Sequence, residues 1–116
     1  MMNSRERLER CITGETVERP PVALWRHFPT DDLNPFNLAR SVVLFQNTYG
    51  FDFVKITAAS SYSVKDWGST DAWDGNPEGS GAFTQFPVKY PQDWAKIKVH
   101  SPTAGALGDQ LECIRG

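Results

Sequence analysis

Apolar positions along the chain follow two rhythms, and the change from one to the other marks the elements. In "NSRERLERCI" (3–12), Leu8, Cys11 and Ile12 stand at i, i+3 and i+4, with Asn3 or Ser4 as N-cap and Gly14 as a stop. That spacing predicts a short amphipathic helix. The next apolar run, Val22 to Trp25, is unbroken and lies between prolines, so it reads as a strand buried on both faces, as in parallel sheets. After the turn-rich "PTDDLNP", Asn34 and Pro35 have the character of an N-cap and a first helical residue. Leu38, Val42, Phe45 and Tyr49 then make one apolar helical face, which Gly50 ends. "FDFVKITAAS" (51–60) is rich in β-branched and aromatic residues and predicts a second strand. Strand, helix and strand in this span have the size of a βαβ unit.

From Ser60 to Phe86 the periodicity disappears into glycines, serines and two tryptophans, predicting a long loop of the kind that is usually functional or mobile. "YPQDWAKIKV" predicts a short helix with Pro91 near its start and Asp93 in its first turn. Leu107, Leu111 and Ile114 predict a last apolar helical stripe. No repeat or linker divides residues 1–116, which read as a single, partial α/β domain.

Composition narrows the function classes. The 116 residues are 40% hydrophobic and 12% aromatic, which calls for a packed core rather than disorder. The formal net charge is −2, with the basic residues scattered among acidic ones, so neither nucleic acid nor an anionic membrane is an expected partner. No run is apolar enough to cross a bilayer, and the charged N-terminal segment lacks the core of a signal peptide; a cytoplasmic location is expected. Cys11 and Cys113 are far apart with no CxxC neighbour, and are read as reduced thiols.

Three local patterns carry a resemblance: "RERLERCITGETVERPPV", "PVALWRH", and "YGFDFVKIT" followed by "DWG". Together they resemble the N-terminal part of the uroporphyrinogen decarboxylase superfamily, in its decarboxylase-like branch. The resemblance implies the N-terminal portion of a (β/α)8 TIM barrel, about two βα units plus an N-terminal helix and a long loop. Barrels of this kind need about 250 residues. The chain is therefore read as a fragment, inactive by itself, of an enzyme that decarboxylates a carboxylated small molecule such as a tetrapyrrole, with a homodimer as the form of the full-length parent.

By that resemblance Arg26 falls where the family's first strand ends in an arginine, and it is the candidate substrate-binding residue, because guanidinium grips carboxylate bidentately. The other reading pairs it with Asp31 or Asp32. His27, where decarboxylases place Gln, and Lys55, within "FVKIT", are the candidate catalytic residues. A histidine can donate a proton near neutral pH. The lysine either faces the site or reaches for water. Asp66 and Trp67 are candidates for a substrate lid or for loop packing, while Trp73 and Asp74 belong to turn chemistry. The decarboxylases' second arginine has no counterpart here, and Ala58 or Ala59 stands where they carry the Asp that stabilises the cationic intermediate. Both departures favour the alternative of a corrinoid-dependent methyltransferase of the same superfamily. The decarboxylase reading needs no cofactor, whereas the methyltransferase reading implies corrinoid and zinc; no metal ligand is assigned in this chain, His100 included.

Overall fold

Asn3 closes the first turn of the first helix by accepting the Glu6 N–H at 2.9 Å, as its short amide side chain predicts for an N-cap. In the computed structural model, which describes residues 1–116, that helix is α1, Ser4–Ile12. The next is α2, Pro35–Tyr49, where Asn34 accepts from the Phe36 and Asn37 N–H groups and Pro35 occupies the first turn. Gly50 ends α2 with φ +63°, a left-handed conformation that costs a residue with a Cβ strain energy. The third helix, α3, spans Gly105–Arg115. Pro91–Lys96 forms a 3-10 helix at the place where a short helix is expected.

The apolar core is small. Leu38 and Val42 of α2 meet Cys113 of α3, with Phe28, Ala39 and Ile56 packed partly against them. The two helices face each other through Leu38 and Val42 of α2's predicted stripe, whereas Phe45 packs against Phe28 and Phe51 and Tyr49, at the end of the stripe, is exposed. α3, however, turns Gly108 and Cys113 inward and leaves Ile114 exposed. The α1 stripe is a further correction: Cys11 and Ile12 are exposed, and the buried residue of that helix is Arg7. Arg7 instead ties α1 to the rest of the chain through the ion cluster described below.

The expected strands depart most from the sequence reading. Neither Val22–Trp25 nor 51–60 belongs to a hydrogen-bonded ladder, and the chain's sheet is a two-stranded antiparallel hairpin elsewhere. Val22, Leu24 and Trp25 are about half exposed or more, not buried on both faces. The two segments nonetheless lie side by side. The Asp52 N–H donates to the Val22 carbonyl at 2.8 Å, and the Lys55 ammonium sits 4.5 Å from the Trp25 ring centre. Both pairs are 30 positions apart, so the segments run in the same direction, with α2 as the crossover between them.

The long loop also holds more structure than its composition suggests. A 3-10 turn at Lys65–Trp67 leads into β1, Thr70–Ala72, which pairs antiparallel with β2, Ala82–Gln85. Between the strands, the Asp74 carboxylate accepts the Asn76 N–H at 2.9 Å and the Trp73 indole donates to the Asn76 carbonyl at 2.8 Å, the turn chemistry read for those residues. The hairpin is solvent-exposed, with one cross-strand pair of hydroxyls, Thr70 and Thr84, 2.8 Å apart. The whole chain measures 56 × 32 × 23 Å with a radius of gyration of 17.9 Å. A compact domain of this length would have about 13 Å.

Candidate functional site

The two parallel segments have two ends, and each end collects charged residues. At the end where the segments begin, Asp52 is the hub. Its carboxylate accepts the Val22 N–H at 2.8 Å and two N–H groups of Arg19, at 2.5 and 3.0 Å. Arg7, from α1, adds a bond to Asp52 at 2.5 Å, a second salt bridge to Glu18, and a bond to the Met2 carbonyl at 2.9 Å. The Arg7 and Asp52 side chains are 5% and 1% exposed, so this pair is buried and fully partnered, with Glu18 and Arg19 at its exposed rim. Hydrogen bonds from Arg19 and from the Val22 N–H, with Arg7 adding to them, hold the Asp52 carboxyl well below the usual carboxylate range. Arg7 in turn lowers Glu18.

The other end carries the candidate site. Arg26 follows Trp25 directly, and its guanidinium donates to the His27 carbonyl at 3.1 Å and to the Pro77 carbonyl at 2.7 Å. It also forms a salt bridge at 3.4 Å with Glu78, and it lies 5.5 Å from the Phe28 ring centre. It pairs with neither Asp31 nor Asp32: the Asp31 carboxylate accepts the Ser41 hydroxyl of α2 at 2.7 Å. Arg26 and Lys55 line one narrow apolar cleft with Trp25, Phe28, Val42 and Phe45. His27 is partly buried, and its Nδ1 is enclosed without a hydrogen-bond partner. Lys55 is exposed, with its ammonium over the Trp25 ring. Arg26 and Lys55 therefore share one cleft, His27 is next to Arg26 in sequence but does not line that cleft, and Arg26 is already held by a loop.

Searches of protein-family models, of curated proteins and of solved structures find no match. No helix is long and apolar enough to cross a membrane.

Asp66 has a different use from the one considered in the sequence. Its carboxylate accepts the Ala106 N–H at 2.9 Å and the Leu107 N–H at 3.4 Å, so it caps α3 from a segment 40 residues away. Gly105, at φ +60°, permits that approach, since a Cβ there would collide with the carboxylate. The Trp67 indole donates to the Lys98 carbonyl, and its ring meets His100 edge-on at 5.2 Å, which is loop packing. Two residues escaped the sequence reading. Glu78 sits among turn-forming neighbours with nothing local to link it to Arg26. Arg7 looks like any solvent-facing helix residue, and only its position opposite Asp52 makes it buried.

Proposed function

We propose that the chain supplies the opening βα units of a uroporphyrinogen decarboxylase-like barrel enzyme acting on a carboxylated small molecule, with Arg26 binding a substrate carboxylate and His27 and Lys55 beside it. The observation that carries this reading is the polarity of the parallel pair. The starts of the segments are locked around Arg7 and Asp52, whereas Arg26 lies just past the finish of the first segment, with His27 next to it in sequence and Lys55 level with Trp25 partway along the second; the finishing ends of strands are the side on which barrel active sites are built. Further support comes from the uncovered apolar surface. Val22, Leu24, Trp25 and Val54 flank the pair with no neighbouring strand, as they would in a sheet that continues. Glu78 lies 3.4 Å from the Arg26 guanidinium in a single ion contact, which a substrate carboxylate binding there would replace.

A second reading, corrinoid-dependent methyl transfer, is favoured by the finish of the second segment. Ala58 and Ala59 stand there, and the carboxylate that follows, Asp66, is committed to capping α3. No three His, Cys, Asp or Glu side chains come together in the chain, so these residues do not form a zinc site by themselves.

The deciding experiment uses the complete protein encoded with this chain. It is incubated anaerobically with uroporphyrinogen and, separately, with methylcobalamin and a thiol acceptor. Release of carbon dioxide, with Arg26→Ala raising KM about tenfold or more, supports decarboxylation. Loss of the methyl group from the corrinoid selects the second reading. If the 116-residue chain is itself the whole product, unfolds cooperatively as a monomer and turns over neither substrate, both readings fail.

A further inference from the structure

The connection between β1 and β2 reaches back to the finish of both parallel segments and is tied there at three points. The Arg26 Nη2 donates to the Pro77 carbonyl at 2.7 Å and lies 3.4 Å from a Glu78 carboxylate oxygen. At the end of the second segment, the Ser60 N–H donates to the Ser80 hydroxyl at 3.1 Å. Every residue of β1 and β2 except Asp71 is exposed, so apolar burial does little to fasten the hairpin.

Inside the connection the chain is bonded to itself, with Asn76 at the centre. The Asn76 carbonyl accepts the Trp73 indole at 2.8 Å and the Gly79 N–H at 3.0 Å. Its side-chain oxygen accepts the Glu78 N–H at 3.0 Å, and its own N–H goes to Asp74 at 2.9 Å. A tip bonded in this way moves as one piece, carrying Pro77 and Glu78 together.

A guanidinium grips a carboxylate through two parallel N–H groups, and two of its edges offer such a pair: Nε with Nη2, and Nη1 with Nη2. Both edges include Nη2. That is the nitrogen on which both Arg26 ties of the tip converge, while Nε is committed to the His27 carbonyl at 3.1 Å. A carboxylate arriving at either edge therefore meets Glu78 at the same nitrogen, and like charges that close repel. Turning the Glu78 side chain aside leaves the Pro77 carbonyl still on Nη2.

We propose that residues 74–80 are an autoinhibitory strap: closed, it keeps carboxylates from gripping Arg26, and a carboxylate that binds there lifts it, breaking the Ser60–Ser80 bond at its far side. The strap rests on the reading of Arg26 as a carboxylate site and adds a gate to it. Its ties are few and solvent-exposed, so opening is cheap. Apparent affinity falls by the fraction of molecules that are closed, so any change that weakens the strap tightens carboxylate binding.

The test titrates succinate into the ¹⁵N-labelled protein, unaltered and as Ser80→Ala and Glu78→Gln, with neutral succinamide as control. Saturable shifts of the Arg26 and His27 amides are expected with succinate alone, joined at the same midpoint by shifts of the Ser60 and Gly79 amides. Ser80 makes no contact with Arg26, so the tighter binding expected of Ser80→Ala, about threefold, comes through the strap. Glu78→Gln should tighten binding at least as much. Equal affinity in the unaltered protein and Ser80→Ala, or a Ser60 amide unmoved at saturation, overturns the strap and leaves Arg26 a carboxylate site. Absence of saturable succinate shifts in all three proteins, or shifts that persist in Arg26→Met, removes the carboxylate site itself and the strap with it.

Discussion

The two ends of the Val22–Trp25 and 51–60 pair use the same side chain, arginine, in opposite ways. Arg7 is buried, and every direction its guanidinium faces holds a carboxylate or a carbonyl. Arg26 is about one-third exposed, and its ion partner, Glu78, is itself largely in solvent. A buried, fully partnered charge cannot lose a partner without leaving another charge stranded, so it fixes geometry. A half-exposed charge held by a loop exchanges partners cheaply, so it is free to bind something else. The locked end sets the position of the segments, and the open end keeps its chemistry available.

The largest test of this contrast removes one charge from each end. Arg7→Met, or Asp52→Asn, should lower the thermal midpoint by roughly 10 °C or more, whereas Arg26→Met should change it by no more than about 3 °C. Calorimetry on the three variants checks this, and equal losses at both ends would abolish the distinction. Leu38→Ala probes whether apolar packing or the ion cluster holds the pair together. Leu38 is fully buried in a core of three such residues, so its truncation should cost about 2–5 kcal/mol in denaturant titrations.

Acid should destabilise the fold through two low-titrating carboxylates, one at the locked end and one outside it. Asp52 and Asp93 both titrate lower in the folded chain than in the unfolded one. Asp93 is held down to about 2 by the Lys96 ammonium and by the Lys89 and Tyr90 N–H groups. Such carboxylates stabilise the fold fully above the ordinary value of 3.8, and that contribution is lost as pH falls from there toward about 2. The unfolding midpoint should therefore drop steeply over that window, and Asp93→Asn should make the drop shallower. Asn34→Ala, which removes both N-cap bonds of α2, should cost about 1 kcal/mol without touching either end. The smallest effect on stability is expected for Glu78→Gln, at most about 0.5 kcal/mol. That variant frees Arg26, so acetate or succinate should bind at the open end more tightly than to the unaltered chain, as judged by shifts of the Arg26 and His27 amides.

The helices were the most legible part of the chain. Asn3, Asn34, Pro35 and Gly50 carry their instructions in their own chemistry, an amide that reaches back, a ring that fixes φ and a residue without a Cβ, and the boundaries fall beside them. The strands were less legible, because an apolar run specifies a preference for burial but not the partner that supplies it. Val22–Trp25 and 51–60 found each other and α2, with no strand on the outer side to complete a ladder. Of the candidate site, the sequence placed Arg26 and His27 at the end of the first segment and left Lys55, inside the second, between facing a site and reaching for water. It did not reveal that Glu78 would hold Arg26, since Glu78 is brought there by the connection of a hairpin whose own strands have no periodic signal.

The sequence by itself determined where α1 and α2 begin and end, the turn at Asp74–Asn76 and the near-neutral charge balance, because each depends on residues within a few positions of one another. Only the tertiary structure decided that Arg7 and Asp52 are buried together with the half-exposed Arg19 bonded to Asp52, that Asp66 caps a helix 40 residues away, and that Ser61 is buried without a partner. Those outcomes depend on which distant groups share a space, and burial of a charge or a hydroxyl is a property of that shared space rather than of the residue.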